Sequence, residues 1–441
     1  MLDSGAGTSS NMRETSVPKG EITDLPVSED PSSSSAALPP ATQTTRHPLA
    51  PLSGVVGVFV CGLVAFLTLY VTQPLLPLLE TLFHASKSAV GWTVSASTLG
   101  VALSAPVLGT FTERMNRKRV ILVSILLLAI PTCAAASSTS LGGLIFWRFL
   151  QGLITPGVFA TTIAYITEGW PPTAVAPVMS LYVSGTALGG FCGRALSGVL
   201  ADRIGWRASF LLLGILTLGG AALVYWLLPD RPRRLISATT PTLGQVIAPM
   251  LQHLRNPRLL TTYLVGFNVL FSLVGVFTYI TFYLAAPPFS LSPANLSLLF
   301  VVYLFGLVAT PLAGTVLPRI GLLAGITGSI LLSLIGVLLT LAHTLPVVIA
   351  GLALCCTGTF ISQSCATSFL REAAPESSRA SAVGLYVACY YIGGTVAGVA
   401  PSLAWRLGGW TACVLMVAAV DVLSIIIARR GWRMNAALEA I

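Results

Sequence analysis

Twelve apolar runs of about 20 residues, the length that crosses the hydrocarbon core of a bilayer, recur along the chain from Gly54 onward. They fall at 54–80, 90–111, 119–137, 141–168, 178–200 and 207–228. After a longer polar connection they resume at 259–286, 294–316, 322–342, 346–369, 379–402 and 409–428. In lipid every backbone polar group must find its partner inside the protein, so only helices or closed barrels can span. Uninterrupted runs of this length mean helices, because barrel strands alternate apolar with polar residues. With 54% hydrophobic and only 9% charged residues, the chain lies far from the roughly 25% charged of soluble domains. The expected fold is an all-α polytopic membrane protein with twelve transmembrane helices.

The net charge of +9 follows the membrane and does not point to nucleic acid. Numbered by these runs, the loops on the side of the N-terminal tail hold fifteen Lys and Arg residues, from Arg114 to Arg433. The opposite loops hold four: Lys87, Arg203, Arg207 and Arg406. Cationic loops stay on the cytoplasmic side, so both termini are expected in the cytoplasm. Residues 1–52, rich in Ser, Pro and Thr without apolar periodicity, read as a disordered cytoplasmic tail and not as a secretory signal.

The halves look duplicated. Gly109-Thr110 with Arg114 recurs 205 residues later as Gly314-Thr315 with Arg319. Gly189-Gly190 and Gly205-Trp206 recur 204 later as Gly393-Gly394 and Gly409-Trp410. Three matches at nearly one offset, each at the same place in a six-helix set, argue for two pseudo-symmetric six-helix bundles of the same orientation. The expected domains are 53–228 and 259–430, joined by a cytoplasmic loop at 229–258 and followed by a cytoplasmic tail at 431–441.

Polar residues inside these runs mark where a path could lie. Arg148, about 7 residues or roughly 10 Å into the fourth span, is tolerable only beside a wet cavity or an acceptor. It is read either as a functional residue or as a structural buried cation. Gln151 accompanies it. Tyr70 and Gln73 in the first span, Asn268 in the seventh and Gln363 in the tenth belong to helices 1, 4, 7 and 10, which carry most of the polarity. These four helices are expected to line a central path, with the nearly pure aliphatic helices 3, 6 and 9 toward lipid. Asp421 alone among the acids lies well inside an apolar run; it is either a site that takes up and releases a proton or the partner of a cation. Gly185, Gly189 and Gly193 at four-residue steps leave one face of the fifth helix bare, for close packing or for a hinge. Arg194 beside them is expected to snorkel toward the nearer surface. The eight cysteines sit in apolar runs as core residues, and the four histidines have no metal spacing, so no metal or cofactor is expected. No nucleophile elbow, phosphate loop or zinc motif appears, which speaks against an enzyme and leaves an ion gradient to drive uphill movement.

Several of these stretches resemble the major facilitator superfamily. The loop Gly109 to Arg119 matches its helix 2–3 loop, with Glu113 in the place of the usual Asp. Arg148-Phe149-Leu150-Gln151-Gly152 matches its helix 4 motif. The glycine strip matches its efflux motif, except that Gly190 replaces a proline and Arg194 a glycine. Gly198 to Arg207 and Gln73-Pro74-Leu75-Leu76-Pro77 are similar to bacterial proton-linked carriers of the drug and arabinose-efflux type. The resemblance implies a monomeric carrier in the bacterial inner membrane, exporting a small organic molecule against protons. It also implies a latch between the halves built from Gly109, Glu113, Arg114 and Arg117. A proton-linked importer is the alternative, and a membrane receptor a more distant one.

Overall fold

The computed structural model describes residues 52–111, 115–230 and 250–433, nearly all of them helical. Eleven helices among the described residues are long and apolar enough to cross a membrane. Spans 2 to 6 are Lys87–Phe111, Arg117–Ala135, Leu141–Gly169, Pro172–Ile204 and Trp206–Leu227. Spans 7 to 11 are Pro257–Ala285, Pro293–Ile320, Leu322–Leu339, Leu345–Ala373 and Arg379–Val399. The twelfth lies in Pro401–Arg433, which bends at Gly408 and Gly409. The latter has φ 61°, a left-handed backbone that favours glycine, so 410–433 form the span proper. Side chains set several starts: Asn116, Ser140 and Asn256 accept from the amides of Arg119, Gly143 and Arg258 at 3.2, 3.2 and 3.0 Å.

Span 1 differs from its apolar pattern. Leu52–Leu67 is too short to cross alone, and the chain continues through a turn and Gln73–Leu75 into Leu76–Leu82. The helix ends at Leu67, and Pro74 and Pro77 stand in the first turns of the two short helices that follow, so the carbonyls between lack helical partners. Non-helical backbone at this depth requires every one to be satisfied by protein. Thr68 O accepts from Arg148 Nη1 at 2.6 Å, and Leu69 O from Arg148 Nη2 and from Ser97 Oγ at 3.1 Å. Tyr70 O and Thr72 O accept from the amides of Gln73 and Leu75 at 3.1 and 3.0 Å, and Val71 O from Ser197 Oγ at 2.8 Å. The break is thus held by spans 2, 4 and 5.

Span 5 lies against span 1 through its bare face. A Cβ added at Gly185, Gly189 or Gly193 would overlap the carbonyls of Phe59, Leu63 and Leu67, four residues apart in step with the glycines. The duplication repeats this contact, since Gly393 meets the Phe267 carbonyl, each 204 residues on. Aliphatic side chains of spans 3, 6, 9 and 12, such as Leu126, Ile215, Ile335 and Leu423, stay exposed as a lipid-facing surface requires.

The two six-helix sets meet along spans 2 and 11, where Ser95 Oγ donates to Thr395 O at 2.6 Å and the hydroxyls of Thr98 and Thr395 lie 3.0 Å apart. At the end of the molecule where Glu80 lies they also meet through spans 5 and 8, with Ser297 Oγ donating to Ala195 O at 3.3 Å. There Lys87 pairs with Glu80 at 2.6 Å and lies over the rings of Phe282 and Trp405, 5.0 and 5.4 Å from their centroids. At the opposite end, where Glu168 lies, the described ion pairs each stay within one set. Arg117–Glu168 and Lys118–Asp230 belong to the first, Arg258–Glu372 and Arg379–Glu376 to the second.

Candidate functional site

A cavity of ≈ 120 Å³ lies between the halves, lined by spans 1, 5, 7, 8, 10 and 11. Its walls are largely apolar and aromatic: Phe66 and Tyr70 from span 1, Leu270 and Val274 from span 7, Tyr303 from span 8, Phe360 from span 10, Tyr390 and Tyr391 from span 11. Among the described residues one charged side chain, Arg194 of span 5, lines it. Arg194 is 3% exposed and does not reach either surface. The expectation that it snorkels fails because the helix runs on to Ile204. The guanidinium therefore starts from a Cα about 15 Å from the helix end, too deep for its side chain to escape.

Two hydrogen bonds and three rings fix this guanidinium. Nε donates to Gln73 Oε1 and Nη1 to Gly190 O, both at 2.7 Å. The rings of Tyr70, Phe300 and Tyr303 surround it at 4.6, 4.9 and 4.5 Å from their centroids, a cation–π enclosure. Gly190, one turn earlier, leaves the room: a Cβ there would meet only the Arg194 guanidinium, at 3.2 Å. Gln73 in turn donates through Nε2 to Thr278 Oγ1 at 3.2 Å, tying the break in span 1 to span 7 across the halves, 205 residues apart. Of the sequence candidates, Tyr70 therefore lines this cavity, and Gln73 stands behind it as a partner of Arg194.

The other candidates lie elsewhere. Arg148 is fully buried and uses all three nitrogens: Nε donates to Thr93 O at 3.0 Å, Nη1 to Thr68 O and Gln151 Oε1, and Nη2 to Leu69 O and Ser97 Oγ. Gln151 passes the chain of bonds to Thr132 Oγ1 of span 3 at 2.8 Å. The described partners of Arg148 are protein acceptors, and span 4 has no described residue among those lining this cavity. Its hydroxyls Thr155 and Thr162 bond back to Gln151 O and Val158 O of their own helix, at 2.7 Å each. Gln363 accepts from Tyr386 Oη at 3.0 Å, and Asn268 is buried; neither lines the cavity.

Asp421 forms a separate polar centre between spans 7, 9, 10 and 12. Its Oδ1 accepts from Ser272 Oγ at 2.7 Å and its Oδ2 from Ser333 Oγ at 3.3 Å. Beside it is a void of ≈ 10 Å³, into which Thr359, Ser362 and Ser424 also face. Its described hydrogen bonds come from hydroxyls, and no described ion pair includes it. Of the expected latch, Glu113 and Arg114 lie outside the described residues, and the surroundings of Gly109 are not described either. Arg117 forks onto Glu168 of span 4 in its own half, with Nη2–Oε1 at 2.7 Å and Nε–Oε2 at 3.2 Å.

Sequence reading missed Arg194 and the aromatic wall from spans 8, 10 and 11. The departure of Arg194 from the glycine of the resembled motif was the available signal, together with the adjacent Tyr390-Tyr391.

Comparison with known proteins is consistent across sequence and structure. The family model described as Major Facilitator Superfamily matches residues 58–398 and 284–431. An inner membrane transport protein of Escherichia coli K12, YnfM, is 32% identical over 388 residues, covering 87% of this chain and 90% of its own. An uncharacterized MFS-type transporter of Bacillus subtilis 168, YybF, is 31% identical over 81% of this chain and 88% of its own. Among solved structures, the nucleoside transporter NupG superposes with a TM-score of 0.72 at 13% identity, over 86% of this chain and 100% of that one. At that identity the likeness is one of fold.

Proposed function

Since this chain belongs to the Major Facilitator Superfamily and is a multi-pass membrane transporter, we propose that it is a secondary active carrier that exports a small organic molecule in exchange for protons by alternating access. The observation that carries this reading is the cavity between the halves. It is lined by spans of both sets, and at the Glu80 end the hydrogen bonds Gln73–Thr278 and Ser297–Ala195 join the halves. With both termini in the cytoplasm of a bacterial cell, as the cation bias favours, the Glu80 end faces outward and is the end that these hydrogen bonds hold together. Two repeats rocking about the spans 2 and 11 contact would open that end and close the other.

Asp421 is the proposed proton site. A buried carboxyl enclosed by hydroxyls and without a cation among its described partners can hold a proton in one state and release it in another. Spans 7 and 10, which border this centre, also wall the cavity, so a change there has a short path to the substrate. Asp421→Asn keeps the shape and a hydrogen bond to Ser272. It is expected to leave substrate exchange intact while accumulation driven by an imposed pH gradient falls to the equilibrating level. Unchanged gradient-driven accumulation in Asp421→Asn would place coupling elsewhere.

Inverted vesicles carrying a pH-sensitive dye test the whole reading. Substrate addition is expected to release protons from the lumen, and an uncoupler to stop accumulation. Accumulation that persists with the gradient collapsed would rule out proton coupling, and transport only in the opposite sense would make the protein an importer.

A further inference from the structure

The reading of this chain as a carrier leaves its cargo open, and the two buried arginines supply the missing chemistry by contrast. Arg148 shows one way a buried arginine is accommodated in this fold: all three nitrogens donate to described acceptors, four of them backbone carbonyls or hydroxyls, and it lines neither the cavity at Arg194 nor the void at Asp421. Arg194 is accommodated differently. Nε and Nη1 are used by Gln73 and Gly190, both neutral, and no described hydrogen bond uses Nη2. Among the described residues neither an acidic side chain nor a second cation lines the cavity, so its described wall carries a positive charge without a counter-charge. A buried cation without an anion is costly, and in a site of this kind an incoming anion is the group that offsets the cost. The duplication makes the point sharper: the residue 204 positions after Arg194 is Gly398, so the fold itself does not require a charge at this place.

We propose that the cargo is an amphipathic organic monoanion, a carboxylate on a small apolar or aromatic body, whose carboxylate pairs with the free edge of the Arg194 guanidinium while its body lies against the aromatic wall. The planar fork of donors suits a carboxylate, and the rings of Tyr70 and Tyr303 hold that fork in place. The apolar body follows from the rest of the lining, where Leu270, Val274, Phe360 and Tyr391 offer contact area and few free polar groups. At ≈ 120 Å³ the cavity is below the ~300 Å³ of ordinary ligand pockets, which limits the cargo of this conformation to a small body and excludes a polyanion with its hydration shell.

The test uses the full chain in detergent and in proteoliposomes. The probes are a series of carboxylates from butyrate to phenylpropionate, each beside its amide and its amine. The readouts are ligand-induced thermal stabilisation and the initial rate of uptake. Wild type is expected to respond to carboxylates over the matched amides and amines. Arg194→Gln is expected to bind the carboxylates roughly ten- to hundredfold more weakly, the range for losing one charge-assisted pair, with the amide response unchanged. Arg194→Lys keeps the charge without the fork and is expected to retain the preference for carboxylates at reduced affinity, which guards against a variant that merely misfolds. No response to any carboxylate in wild type, equal response to the amine, or unchanged carboxylate binding in a folded Arg194→Gln would overturn the proposal. Proton-driven movement of the amines would do so while leaving the carrier reading intact. Carboxylates that bind through Arg194 yet cross under no gradient would support the site and refute the carrier.

Discussion

Arg148→Ala is expected to lower the folded yield several-fold and the Tm by roughly 5 °C, with transport falling in proportion to the folded fraction and not ahead of it. Its guanidinium is the sole described partner of the Thr68 carbonyl and shares Leu69 O with Ser97, so its removal uncovers the backbone where span 1 breaks. A buried acceptor left unpaired costs about 1–3 kcal/mol, and removing one member of a buried charged network about 3–5 kcal/mol. Against a total stability of about 5–15 kcal/mol, that is a large share. Arg148→Lys has one ammonium to serve acceptors on spans 1, 2 and 4 and is expected to recover less than half of the loss. Thermal unfolding and monodispersity of the purified variants decide it: an Arg148→Ala protein as stable as wild type would show that the break does not depend on this side chain.

Gly193→Val is the second change with a large expected effect. Its Cβ would enter the Leu67 carbonyl, backbone at the last turn before the break, so neither helix can yield by a side-chain rotation. Overpacking of this kind costs about 1–3 kcal/mol and here would also move the next residue, Arg194. Loss of stability and of substrate binding together is expected, with Gly189→Val behaving alike against Leu63. Gly219→Ala in span 6 is the control, because nothing lies within 4 Å of a Cβ at that position. It is expected to be neutral or slightly stabilising through helix propensity. If Gly193→Val and Gly219→Ala unfold at the same temperature, the close contact of spans 1 and 5 has no energetic weight.

The spans were legible because lipid leaves a long apolar run few options, and the duplication was legible because the glycine contacts at Gly189 and Gly393 repeat along with the sequence. What composition could not show was direction. The run 54–80 reads as one helix by apolarity, yet the helix stops at Leu67 and restarts at Gln73 and Leu76 with Pro74 and Pro77 in the first turns, and donors from spans 2, 4 and 5 make that break tolerable. Depth in the helix announced that Arg148 needed partners without saying whether these were water or carbonyls. Arg194 was misplaced because the apolar run stops near residue 200 while the helix continues to Ile204. The threonines of span 4 looked like a polar lining and are spent on their own helix. Asp421 has hydroxyls, not a cation, among its described partners, a distinction that depends on which faces of spans 7, 9 and 10 turn toward it.

Cross-linking at the Glu80 end tests alternating access most directly. Ala195→Cys in span 5 and Ser297→Cys in span 8, placed in a chain stripped of its eight native cysteines, sit where a described hydrogen bond joins the halves. A short bis-methanethiosulfonate reagent should link the two cysteines through disulfides in the absence of substrate, losing two sulfinates, and stop counterflow in proteoliposomes until reduction cleaves the link, with binding at Arg194 retained throughout. Counterflow at the uncrosslinked rate through a fully linked protein would mean that this end does not open during transport.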